Sequence, residues 1–145
     1  MKVKIVEDPN IKETEISIVC EKMTNEINDI VLKISAVGLT VAGKKDEETF
    51  LIPIKEIFYF ESVDGKIFFC TENEIYEAMA KLYKIEENLK NLRFSRISKT
   101  VIANLDKMLS IRKAENSRLT ATLVNQEKLI VSRQYVSEIK KKLGV

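Results

Sequence analysis

Two short β-branched runs open the chain, Lys2–Val6 (KVKIV) and Glu15–Cys20 (EISIVC), separated by a turn that contains Pro9, and both read as strands. Thr24 then stands as an N-cap ahead of Ile27, Ile30, Val31 and Ile34. Their spacings of three and four predict an amphipathic helix of about three turns, with Gly38 as its stop. Leu39–Gly43 predicts another strand, and the charged run Lys44–Glu48 (KKDEE) an exposed loop. Residues 1–45 thus predict a small acidic ββαβ unit, too small to stand alone and packed on the rest of the chain.

Phe50–Ile54 and Ile57–Phe60 are apolar, with Pro53 marking a break or an edge position between them. From Phe60 to Phe69 the pattern is strand, turn, strand, because Asp64-Gly65 is a strong hairpin signal. Asn73 marks a further turn before Glu74–Tyr76. Beyond Ala78, Met79, Leu82, Tyr83, Ile85 and Leu89 fall near helical spacing and read as a short helix with its apolar and aromatic side chains in the core, while Glu86 and Glu87 read as solvated. Met108–Lys113, Arg118–Val124 and Lys128–Val131 predict strands separated by turn chemistry at Asn116-Ser117 and Asn125-Gln126. Ser132 caps a final helix whose stripe is Val136, Ile139 and Leu143 and whose last turn carries Lys140–Lys142. The pattern predicts an α+β, mainly β chain, divided into residues 1–45 and a larger domain over 46–145.

Composition narrows the function classes. The 145 residues suit one domain with a small appendage, and 45% hydrophobic with 32% charged residues can build a core. No apolar run approaches the roughly 20 residues of a membrane span, and the N-terminus lacks a secretory signal, so the expected location is the cytoplasm. Cys20 and Cys70 lie in strand-like runs and are expected as buried thiols rather than a disulfide. The sequence has no histidine, which removes the commonest general base and metal ligand; neither an enzyme nor a cofactor is expected.

Charge divides sharply along the chain. Met1–Leu89 holds 11 Lys/Arg against 18 Asp/Glu, a net of −7, whereas Lys90–Val145 holds 13 against 4, a net of +9. A basic C-terminal third is the electrostatic footprint of a nucleic-acid binder, although a solvated basic face has the same composition. Within that third, Phe94–Leu109 sets Arg96 and Lys99 beside the hydroxyls of Ser95, Ser98 and Thr100, then runs into apolar Val101-Ile102-Ala103 before Asn104. A cationic, donor-rich lip on an apolar anchor suits contact with phosphates and base edges. Asn104 itself reads as a structural turn residue.

Four pieces in order, IFYFES (Ile57–Ser62), LYKIEENL (Leu82–Leu89), FSRISKTVIANLDKM (Phe94–Met108) and LIVSRQYVSEIKKKL (Leu129–Leu143), make the chain resemble the LytTR family of bacterial DNA-binding domains over about residues 50–145. Ser98 stands where the family often has histidine, and Ala103 where it often has valine. The resemblance implies an elongated, mostly β fold whose inter-strand loops enter successive major grooves. Carried over residue by residue, it proposes Lys66 (or its hairpin neighbour Asp64) in a first loop, Lys99 in a second and Arg133 in a third. Ser98, Thr100 and Ser132 become phosphate donors, Arg96 either a DNA contact or a structural charge at the sheet edge, and Lys140 and Lys141 backbone contacts.

The resemblance implies double-stranded DNA as partner, at direct-repeat promoter sites, and a homodimer at least on DNA. It also implies, for stand-alone members, a small membrane protein that restrains them. No phosphorylatable receiver is expected within the chain, because some 45 residues do not supply its acidic pocket; the unit they form serves packing, dimerisation or inhibitor binding. The rival reading is an interaction or oligomerisation module with an incidental basic face. An RNA-binding sheet would need exposed aromatics, and Phe58, Tyr59, Phe60, Phe68 and Phe69 sit in runs that look buried.

Overall fold

The computed structural model describes every residue, Met1–Val145. Its first ordered element is helix α1 (Asn25–Ser35), capped as the sequence predicts: Thr24 Oγ1 accepts from Ile27 N at 3.2 Å, and Gly38 takes a left-handed φ of 78° beyond the C-terminus. Strands β1 (Thr40–Lys45), β2 (Glu48–Pro53), β3 (Tyr59–Val63), β4 (Lys66–Cys70) and β5 (Ile75–Ala78) come after it, then helix α2 (Leu82–Leu89). Next are β6 (Phe94–Arg96), β7 (Val101–Asn104), β8 (Met108–Lys113), β9 (Leu119–Leu123), β10 (Lys128–Val131) and helix α3 (Val136–Leu143). No helix is long and apolar enough to cross a membrane.

The strands form a seven-stranded sheet in the order β2-β1-β5-β4-β3-β7-β6 and a three-stranded sheet in the order β10-β9-β8, antiparallel at every pairing. Strand alternation divides the apolar residues between two cores. Phe60 and Ile102, paired across β3 and β7, join Ile67, Phe69, Tyr76 and the α2 residues Leu82, Ile85 and Leu89 in one cluster. Their sequence neighbours Tyr59 and Ala103, also paired, face a second cluster with Ile97, Leu119, Ala121, Val131 and the α3 residue Ile139. The small sheet and α3 therefore pack against β3 and β7 on the face opposite α2.

Several expectations are corrected. Lys2–Val6 and Glu15–Cys20 do not form strands: residues 1–23 pair with nothing, apart from a local turn in which Ile11 N donates to Asp8 O at 3.2 Å. A strand pattern is stable only with a ladder partner, and here Val3, Ile5, Ile16 and Val19 stay exposed. Cys20 is exposed with them rather than buried. The expected loop at Lys44–Glu48 is instead a tight hairpin joining β1 to β2, with Asp46 and Glu47 both at positive φ (51° and 68°), the conformation of a two-residue type I′ turn. That hairpin, which spans the expected boundary at residue 45, lies wholly within the large sheet. Met79 and Tyr83 are exposed rather than core residues, because α2 begins only at Leu82 and turns Leu82, Ile85 and Leu89 inward.

Gly43 sits where β1 crosses the aromatic layer. A Cβ there would lie 2.5 Å from Phe69 Cζ and 2.7 Å from Tyr76 Cβ, inside van der Waals contact. Gly43→Ala is expected to lower stability by roughly 1–3 kcal/mol, because the stacked Phe69–Tyr76 pair must shift; an unchanged urea midpoint would contradict this packing. The two thiols differ as well. Burial pushes Cys70 from its ordinary 9.0 up to about 11, a hydrogen bond with Tyr59 partly offsetting it, whereas Cys20 is exposed. Iodoacetamide at mildly alkaline pH should therefore modify Cys20 first, with the half-buried Cys70 reacting more slowly until the chain unfolds. By linkage, Cys70 has no effect on stability where both states keep the proton. As pH rises above the ordinary value the unfolded thiol ionises first, so stability falls through this group up to about pH 11.

Candidate nucleic-acid interface

Between β6 and β7 the chain reverses through Ile97–Thr100. Ile97 is buried and its N–H donates to Val101 O at 3.0 Å, which fixes the base of the loop. At the tip, Ser98 Oγ accepts from Thr100 N at 3.2 Å and lies 3.4 Å from the Thr100 hydroxyl. Arg96 completes the support: its Nε donates to Glu86 Oε2 at 3.0 Å and its Nη1 to Lys99 O at 2.8 Å. Glu86, expected as a solvated face residue, is thus the counter-ion of a loop clamp. Arg96 is drawn inward by that pair, and what the loop presents outward is Lys99, exposed and in no ion pair.

The neighbouring loops are tied to this one by backbone bonds. Ser132 N donates to Ile97 O at 2.8 Å, setting the segment between β10 and α3 alongside it. Arg133 opens a single 3-10 turn there, anchored by buried Val131 on one side and Ile139 on the other. Ser62 N donates to Thr100 O at 2.8 Å, which brings up the β3–β4 hairpin; its turn residues Asp64 and Gly65 hold φ of 50° and 79°, conformations that suit Asp-Gly. Lys66 comes next, exposed.

Five of the residues singled out from sequence, Ser98, Lys99, Thr100, Ser132 and Arg133, line one shallow hollow together with Gln134, with no apolar or acidic side chain among them. Lys66 lines an adjoining hollow with Arg96 and Lys99, so Lys99 is common to both. Sequence reasoning misses Gln134; its only signal is its position after Arg133, and its amide adds a donor and an acceptor. The rim is a row of hydroxyls, one amide and unpaired cations. Such a surface can take phosphate oxygens and base edges. No group of three or more Cys, Asp or Glu side chains is disposed to hold a metal ion.

The remaining basic residues sort differently. Lys140 and Lys141 lie on α3 outside this cluster, and Lys141 lines a hollow under α1 with Asp29 and Glu138. Lys142 pairs with Glu138 at 3.1 Å and donates to the buried Ser95 Oγ at 2.9 Å, so Ser95 is an internal anchor rather than part of the polar lip. Arg93 bridges Asp106 at 3.1 Å and Asp29 at 3.4 Å, pinning α1 to the sheet. Asn104 is structural, as its position predicts: Nδ2 donates to Ile57 O at 2.8 Å and Oδ1 accepts from Asp106 N at 3.0 Å. Beside the small sheet, burial and then the Glu127 carboxylate raise the Tyr59 phenol well above its usual range, so it stays protonated.

Comparison with known proteins places this architecture. The profile of the LytTr DNA-binding domain matches residues 47–144. The sensory transduction protein LytT of Bacillus cereus is 29% identical over 117 residues, covering 81% of this chain and 46% of that protein. The chain thus spans less than half the length of that relative. The uncharacterized HTH-type transcriptional regulator SAB2242 of Staphylococcus aureus is 25% identical over 147 residues, covering 100% of this chain and 99% of that one. Among solved structures, a LytTr DNA-binding domain from Bacillus cereus superposes with a TM-score of 0.69 over 73% of this chain and 97% of its own, at 24% identity, a likeness of fold. With two thirds of its length matched by the family profile, the chain belongs to the LytTr family of DNA-binding domains.

Proposed function

We propose that the chain is a sequence-specific transcriptional regulator that reads bases in the major groove through three loops at strand ends, two between strands and one between β10 and α3. The observation that carries this reading is the alignment of Lys66, Lys99 and Arg133 on adjacent loops of one rim, each exposed and none in an ion pair. Arg133 offers a planar fork that matches guanine O6 and N7, and Lys99 a point charge for a base acceptor or a phosphate. Ser98, Thr100 and Ser132 donate to phosphates and fix the register. Arg96 acts through Lys99, by holding its carbonyl, rather than by touching DNA. Lys140 and Lys141 meet flanking phosphates. The residues ahead of the matched segment supply an extended stretch, one helix and one strand, so we assign no phosphoacceptor site to them.

The unpaired N-terminal stretch suits self-association. Ile16 and Ile18 stand out from it with no partner in their own chain, and we assign residues 1–23 to a homodimer contact. The relative SAB2242 matches this chain along its whole length, residues 1–23 included.

Two outcomes are expected. Arg133→Ala should lose roughly 1–3 kcal/mol on duplex from the chain's own upstream region and blur one base position, whereas Lys140→Ala should weaken all sequences alike. Equal losses on specific and random duplex for both variants would remove Arg133 as a reader. In light scattering, the full chain should run as a dimer and Ile16→Lys/Ile18→Lys as a monomer; a wild-type monomer at every accessible concentration sinks the dimer assignment.

A further inference from the structure

A fourth turn ends at the same rim. β8 and β9 are joined through Ala114–Arg118, and the register fixes where that turn lies: Lys113 stands opposite Leu119, and Leu119 opposite Val131. Val131 immediately precedes Ser132 and Arg133. With neighbouring strands about 4.8 Å apart, the turn falls within about 5–10 Å of the Arg133 loop. It lies on the flank away from Lys99, because the other flank is taken by the bond from Ser132 N to Ile97 O.

The turn is basic and held in shape. Lys113 and Arg118 are exposed, and neither takes part in an ion pair. Ala114 N donates to Arg118 O at 2.9 Å, and Asn116 and Ser117 both adopt left-handed φ of 59° and 61°. Arg118 Nε donates to Glu115 O at 3.1 Å, which fixes the guanidinium by one nitrogen and leaves its terminal nitrogens without a protein partner. Glu115 is the only acid in the turn, and its carboxylate pairs with neither cation.

We propose that Lys113 and Arg118 form a fourth contact with DNA, to the phosphates that border the groove entered by Arg133. The assignment to phosphate comes from distance. A major groove is about 12 Å wide, so cations about 5–10 Å to one side of a side chain within it meet the groove wall rather than base edges. This contact adds affinity without sequence preference and rests on the reading proposed above.

The test is a salt series on duplex from the chain's own upstream region and on random duplex of the same length. Lys113→Ala/Arg118→Ala should weaken both by a similar factor. It should also flatten the log–log salt slope by about 2, at roughly 0.9 per phosphate lost. Lys113→Arg/Arg118→Lys keeps both charges and should keep the slope, which separates a phosphate contact from a folding defect. A double-alanine variant with wild-type affinity and slope overturns the fourth contact, as does a loss confined to the specific duplex or a charge-keeping variant as weak as the alanine one. If the wild type binds neither duplex, the three-loop reading fails and this contact with it. Should Arg133→Ala lose specificity while the double-alanine variant matches wild type, only the fourth contact falls.

Discussion

The structure depends on one antiparallel pair, β3 with β7, whose two faces are both buried. Phe60 and Ile102 point into the core beneath α2, while Tyr59 and Ala103 point into the core beneath the small sheet and α3. A slip by one residue would turn every side chain to the opposite face, placing Tyr59 and Ala103 where Phe60 and Ile102 pack and the reverse. The two cores differ in the volumes they accept, so the register is fixed. The loop that leaves β6 for β7 and the hairpin that leaves β3 for β4 therefore emerge at fixed positions, and Ser62 N to Thr100 O locks them together. Ala103, paired with Tyr59 and fully buried, contributes a small side chain to the core that also holds Leu119 and Ile139.

The basic residues divide by whether the fold supplies a partner. Arg93, Arg96 and Lys142 are taken up by internal ties to Asp29, Asp106, Glu86 and Glu138, and Lys107 lies 5.0 Å over the Phe58 ring. Lys66, Lys99, Lys113, Arg118 and Arg133 have no such partner and lie in, or directly beside, turns at the ends of strands. Cations outside the rim are unpaired as well, among them Lys33, Lys55, Lys128, Lys140 and Lys141; what sets the rim apart is that its cations gather on neighbouring turns. The Lys45–Glu74 pair ties the β1–β2 hairpin to the β4–β5 turn at the far edge of the sheet. Net charge across the chain is only +2, yet Lys90–Val145 alone carries +9.

Local signals in the sequence determined much of this. The caps of α1, the Asp64-Gly65 hairpin, the α3 stripe and the three C-terminal strands each rest on interactions within a few residues, which is why they are legible without tertiary context. Ser98, Lys99 and Thr100 stood out as hydroxyls and a cation beside a short apolar anchor, whereas Ser132 and Arg133 were singled out through the family resemblance. What the sequence could not decide were outcomes that require a partner from far along the chain. Lys2–Val6 and Glu15–Cys20 carry a strand pattern but find no ladder; Lys44–Glu48 looks like a loop but closes a hairpin that joins the main sheet. Glu86 looks like a solvated charge and Arg96 like either a DNA contact or a charge at the sheet edge, and the two become one clamp. Only the tertiary structure brings Lys113 within two strands of Val131 and Ile97 beside Ser132, because strand pairing, unlike helical periodicity, is set by long-range register rather than by neighbours in sequence.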